Sequence, residues 1–259
     1  MELGLCSITF RQHTPKDIIV LAKDQQLQAI EWGGDIHVPP GNLTRAKEIG
    51  DLTRAHGLRV SSYGSYYHAG TEEDFDAVLE TALALETSHI RIWAGRMDKS
   101  KTPKTYSEET FQHIVQDIIR CAIEAKKHAI TLHLEYHAFT YTDSGQAALK
   151  LIQAVNQPNV KLYWQPLGSF TKEQQVLDLN MLQSYISHIH VFQWDETFNR
   201  YPLDTGESTW LDYIRVLEQS QSHLYLMEFV KNDNINQFNQ DVQTLHHWKK
   251  TINASLRGE

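Results

Sequence analysis

The chain has 259 residues, 41% hydrophobic and 22% charged, an ordinary balance with enough apolar material for a sizeable core. Its 32 acidic residues outnumber 24 basic ones, giving a net charge of -8 and a pI near 5.9; duplex nucleic acid, which needs a basic face, is therefore not the expected partner. The longest strongly apolar run near the start, residues 18–22, is far short of the ~20 that a membrane span needs, and Glu2 opens a strand pattern where a leader would be charged and then apolar. Two cysteines, Cys6 and Cys121, are too few for a disulfide framework, so a reduced, cytoplasmic setting is the expectation.

Short apolar, β-branched runs alternate with longer amphipathic stretches eight times along the chain. The first run, Leu3–Phe10, precedes a helical stretch that Pro15 opens at its first-turn position. Ala29–Gly33 follows, and then a helix closed by Gly57. Arg59–Tyr63 and His89–Ala94 are the third and fourth runs, and Ser107 with Glu108 and Glu109 starts the longest helix, reaching about His128. Its apolar stripe is Phe111, Ile114, Ile118, Ile119 and Ala122. The remaining runs are Thr131–Tyr136, Val160–Gln165, His188–Trp194 and Leu224–Val230. Eight units of roughly 32 residues each match the size of a βα unit, and no Gly/Ser-rich or Pro-rich linker interrupts them. The predicted fold is α/β, a single (β/α)8 barrel over residues 1–259.

Such a barrel directs chemistry to the C-terminal ends of its strands. Glu135 and Glu228 each interrupt an apolar run near its end, where an isolated carboxylate costs several kcal/mol unless paired or bound to a cation. His190 and Gln165 stand on the runs between them. This oxygen-rich set with one imidazole suits Mn²⁺, Co²⁺ or Mg²⁺, with Zn²⁺ admissible. His188 shares the parity of His190 one step deeper, which favours a structural role, although it remains among the substrate-binding candidates. His133 falls below Glu135, in position to orient that carboxylate, and the pair His246-His247 reads as a solvated helix face.

The order Glu135, position 165, His190, Glu228 on the fifth to eighth runs resembles the xylose-isomerase-like TIM-barrel superfamily, which also contains endonuclease IV. The resemblance covers essentially the whole chain and looks closest to the ketose 3-epimerase, hydroxypyruvate isomerase and inosose dehydratase branches. It implies a divalent metal held by Glu135, Gln165, His190 and Glu228, with the two glutamates also the proton-transfer pair. The spacings of 30, 25 and 38 residues each fit one βα unit, the strand-seven His-x-His makes His190 the ligand, and Gly206-Glu207…Trp210 looks like the family's entry into helix seven. Three positions depart from the pattern. The family's Asp is Gln165, a neutral ligand that predicts weaker metal binding; the His three positions later is Gly168; and the substrate-binding Arg six residues past the ligand histidine is Glu196.

Trp32 and His37 in the loop-forming stretch 31–41, with Tyr63, His68, Arg91 and Trp93 on and after runs three and four, are further substrate-binding candidates. The implied activity is isomerisation or epimerisation of a small carbohydrate through a metal-stabilised ene-diolate. The alternative is dehydration of a keto-polyol, and a non-catalytic sugar-binding relative is the option outside enzymes. An endonuclease IV-like repair enzyme is disfavoured by the acidic balance and the single strand-end histidine. Homo-oligomerisation stays open.

Overall fold

The computed structural model describes residues 1–96, 106–219 and 221–257. Eight parallel strands close into a barrel, each pairing with its sequence neighbours and β1 with β8. In chain order the elements are β1 (Glu2–Cys6), α1 (Pro15–Asp24), β2 (Ala29–Gly33), α2 (Leu43–Ala55), β3 (Arg59–His68), α3 (Phe75–Leu85), β4 (His89–Trp93) and α4 (Glu108–Lys126). They continue with β5 (Thr131–Glu135), α5 (Gly145–Val155), β6 (Val160–Trp164), α6 (Lys172–Leu182), β7 (Ile186–Val191), α7 (Glu207–Leu217), β8 (Leu224–Met227) and α8 (Ile235–Arg257).

The helix starts follow from local chemistry. Thr14 and Asp17 form a reciprocal capping box ahead of Pro15, and the Ser107 hydroxyl accepts the Thr110 N–H at the start of α4. Gly57, at a φ of +78°, takes the left-handed turn after α2. Strand ends agree less well. The first run gives a strand only to Cys6, after which Ser7–Phe10 forms a 3-10 turn. β3 continues to His68 through a register shift after Gly64, well beyond Tyr63. β7 begins at Ile186 and stops at Val191, so Phe192–Trp194 belongs to a loop.

Strand parity splits the core in two. Side chains facing outward, such as Leu3, Ile30, Trp32 and Leu134, pack with the helices into one large apolar layer. Inside the barrel the apolar part is small: Ala29, Tyr163, Leu224 and Leu226. Gly4 completes that floor, because a Cβ there would come within 2.7 Å of both the Ala29 carbonyl oxygen and the Leu226 side chain. The rest of the interior is polar. Glu31, Arg91, His133, Glu135, Gln165, His188, His190 and Glu228 are all buried. Stability therefore comes from the outer layer, and the interior is left to polar groups that must satisfy one another.

Candidate active site

Glu135 ends β5, Gln165 and Glu228 lie one residue past β6 and β8, and His190 is on β7, so all four reach the C-terminal mouth. His190 is the centre. Its Nδ1 lies 3.4 Å from Glu228 Oε2, 3.4 Å from Gln165 Oε1 and 3.7 Å from Glu135 Oε1. One ligand atom each from Glu135, His190 and Glu228 lies within 4.8 Å of the others. A divalent ion with bonds of ~2.0–2.2 Å holds neighbouring donors ~3.0–3.5 Å apart, close to the spacing of the three oxygens from His190 Nδ1. The buried donor set of two carboxylates, an amide oxygen and an imidazole nitrogen suits such an ion chemically as well.

The two glutamates have opposite environments. Burial raises the cost of ionising Glu135, but Arg91, His137, His190 and the Trp93 N–H together outweigh it and hold the carboxyl below its ordinary value. Arg91 Nη1 and Trp93 Nε1 both donate to Glu135 Oε2, and Gln165 Nε2 donates to Oε1 at 3.3 Å. Glu228 has no such clamp. Burial dominates there and pushes its pKa up, although His190 pulls the other way. His190 itself is raised: burial opposes its charge, and Glu228 and Glu31 outweigh that.

Both glutamates line a cavity of about 1060 Å³ at the barrel mouth. Arg91, Trp93 and Gln165 line it too, together with Arg11, Tyr66, His137, Phe139, Phe170, Phe192, Trp194, Phe198 and Phe229. Four of these aromatics, Tyr66, Phe139, Phe198 and Phe229, have positive φ between 56° and 66°. A left-handed backbone costs an L-residue ~1–2 kcal/mol, so the barrel retains this strain where it presents ring faces to the cavity.

The other expected substrate contacts do not reach this cavity. Trp32 and Tyr63 have outward parity: Trp32 Nε1 donates to Thr53 of α2 at 3.1 Å, and Tyr63 Oη donates to the Val38 carbonyl at 2.9 Å. His37 is buried between Ser7 Oγ (3.1 Å) and the His13 carbonyl (3.3 Å). His68 sits behind the wall, its ring 4.8 Å edge-on from Trp93 and its Nδ1 2.9 Å from Glu73. His188 is below the site, stacked 4.7 Å from Tyr163. His133 does not orient Glu135; it meets His89 at 2.9 Å and Ser187 at 2.8 Å.

Glu31 was not among the expected site residues, and it should have been. It is fully buried on β2 with the inward parity of Ala29, and the strand-interrupting carboxylate that marked Glu135 marks it equally. Its Oε1 accepts from Arg91 Nε at 3.0 Å and faces His190 Nε2 at 3.4 Å.

Comparison with known proteins places this geometry in context. The profile of the xylose isomerase-like TIM barrel family matches residues 19–251. A 3-dehydroshikimate dehydratase from Bacillus anthracis is 25% identical over 204 residues, covering 73% of this chain and 71% of the relative. The crystal structure of the probable 3-DHS dehydratase AsbF from Bacillus anthracis superposes with a TM-score of 0.80 at 19% identity, covering 95% of this chain and 99% of that one. The 3-keto-D-glucoside 4-epimerase YcjR from E. coli gives 0.71 at 13% identity, with 95% and 98% covered. At such identities these two likenesses show the fold alone. Among the described residues no helix is long and apolar enough to cross a membrane.

Proposed function

Because this chain belongs to the xylose isomerase-like TIM barrel family, we propose that it is an enzyme moving a proton next to the carbonyl of a small hydroxy-carbonyl compound, an isomerase or epimerase of a carbohydrate. The observation that carries the reading is the convergence of Glu135, Gln165 and Glu228 on one nitrogen of His190 at the mouth of the cavity. Glu135, Gln165, His190 and Glu228 are the residues that would hold a divalent ion. That ion, when bound, supplies positive charge against the negative charge that develops on the substrate oxygens.

The protein's own groups divide the remaining work. Arg91 and Trp93 keep Glu135 ionised and fix its Oε2, which leaves it as the base that takes the proton next to the carbonyl. Glu228, which lacks the Arg91 and Trp93 clamp, is the group that returns a proton to the neighbouring carbon or to the opposite face. The aromatic wall of Tyr66, Trp93, Phe192, Trp194 and Phe229 excludes water and suits the C–H face of a ring, so a cyclic polyol is favoured over an open-chain triose.

A second reading has one specific support, the 25% identical dehydratase. Here Glu135 removes the same proton, the electron pair forms the new C=C bond, and the β-hydroxyl leaves as water with a proton from Glu228. One experiment separates the two. The protein loaded with Mn²⁺ is incubated in D₂O with ketohexoses, a 3-keto-glucoside and 3-dehydroshikimate, and the products are weighed by mass spectrometry. Isomerisation or epimerisation leaves the formula unchanged and places one deuterium on carbon. Dehydration removes one water. Isomerisation or epimerisation with complete retention of the original hydrogen would overturn the two-glutamate assignment in the first reading, and undiminished dehydration by Glu135→Gln would overturn it in the second.

A further inference from the structure

Glu31 forms part of a buried network beneath the site that no step above uses. Its Oε1 accepts from Cys6 Sγ (3.2 Å) and Arg91 Nε (3.0 Å), and its Oε2 accepts from Ser62 Oγ (2.9 Å). Ser62 is in turn 2.7 Å from Tyr163 Oη. Two of its neighbours lead directly into the reaction site. The Arg91 guanidinium that holds Glu31 by Nε holds Glu135 by Nη1, so one cation spans both carboxylates. His190 turns Nδ1 to Glu135, Gln165 and Glu228, and turns Nε2 to Glu31 at 3.4 Å.

An imidazole that gives the lone pair of Nδ1 to a metal ion carries its proton on Nε2, and a buried N–H needs an acceptor. His190 Nε2 is buried and makes no hydrogen bond, and Glu31 Oε1, 3.4 Å away, is the carboxylate oxygen it faces. The space around the cluster is matched to it. Gly64 on β3 has no side chain where a Cβ would come 2.6 Å from Arg91 Nη2 and 2.9 Å from Glu31 Oε1.

We propose that Glu31 is a positioning residue for this site: it fixes the tautomer of His190 with Nδ1 free to bind a divalent ion, and it aims Arg91 at Glu135. The proposal rests on the metal-binding reading above. The plainer role for Glu31 is to neutralise Arg91 in the core, and a double-mutant cycle distinguishes the two. Mn²⁺ affinity is measured by calorimetry for the wild type, Glu31→Gln, Arg91→Gln and the double variant, with folding followed by circular dichroism. Glu31→Gln alone leaves a buried guanidinium short of a partner. The decisive comparison is therefore the double variant against Arg91→Gln, where that charge is absent.

Removing the carboxylate behind a ligand histidine lowers metal affinity roughly 10- to 100-fold, and that loss is expected in the Arg91→Gln background as well. Nitrogen NMR of the Zn²⁺-loaded wild type should show His190 protonated on Nε2, with that proton exchanging slowly. Equal Mn²⁺ affinity in Arg91→Gln and the double variant, or a proton on Nδ1, overturns the proposal and leaves the metal reading standing. A wild type that binds no Mn²⁺ overturns both.

Discussion

Replacing His188 by Asn should remove a measurable part of the protein's sensitivity to mild acid, to which His37, His89 and His133 also contribute. His188 lies inside the barrel among His89, His133 and Ser187, with ring centroids 5.1 Å and 4.8 Å from the two imidazoles and its Nδ1 3.0 Å from the Ser187 hydroxyl. Burial, reinforced by His89, drives its pKa from 6.5 down to about 3. The unfolded chain therefore takes up a proton below pH 6.5 that the folded chain refuses. This contribution is fully present above pH 6.5 and is lost as pH falls from there toward 3. At pH 5 the gap of about 1.5 units is worth ~2 kcal/mol, and the full shift approaches ~5 kcal/mol. Asn keeps a polar atom near Nδ1 for Ser187 but does not titrate. Urea unfolding at pH 8 and pH 5, in the presence of chelator so that no cation competes for His190, should show the wild type losing ~2 kcal/mol more than the variant. In thermal scans this corresponds to roughly 4–8 °C for a chain of this length. Equal losses in both proteins would refute the buried neutral imidazole as their cause.

Four further outcomes follow from the same geometry. Glu135→Gln and Glu228→Gln should each lower kcat at least ~100-fold while circular dichroism stays unchanged, the scale of a lost general base or acid. Gly64→Ala should lower kcat and the melting temperature together, because its Cβ would lie 2.6 Å from Arg91 and both partners are buried; wild-type turnover would show that the guanidinium has another place to go. Gln165→Asp should tighten Mn²⁺ binding by ~1–2 kcal/mol in calorimetry, which is what remains of a ~4 kcal/mol charge pair after desolvation and repulsion from the two glutamates. Trp194→Ala should raise KM for a cyclic substrate with little change in kcat if the aromatic wall binds the ring; the reverse pattern would place Trp194 at the reacting atoms instead.

The barrel could be read from the chain because each strand contains a short apolar run and helices such as α1 and α4 start at a cap, and both signals are local. Run ends misled where apolar residues serve the cavity. Phe192 and Trp194 look like strand residues but wall the pocket beyond β7, and the polar stretch after Tyr63 looks like a turn but is still strand. Parity decided the substrate candidates. Trp32 and Tyr63 are outward residues beside inward ones, and reading Glu31 as the edge of a loop hid the carboxylate that faces in. The collar formed by Phe139, Phe198 and Phe229 had no signal of its own, since positive φ at an aromatic residue is set by the surrounding loops and not by the residue.

Charge balance accounts for the residue at position 165. The buried interior of the site holds three carboxylates, Glu31, Glu135 and Glu228, against one guanidinium, Arg91, which leaves two negative charges. A divalent cation brings that total to zero. A fourth carboxylate at 165 would leave the loaded site with one unbalanced negative charge beside Glu135 and Glu228, which repel it. Gln165 avoids that repulsion while keeping an oxygen 3.4 Å from His190 Nδ1. In this chain Arg91 is tied to Glu31 as well as Glu135, so its charge is already shared and cannot offset another acid. On the proposed metal reading, the neutral amide is thus the residue at 165 that balances a core with Glu31 already in it.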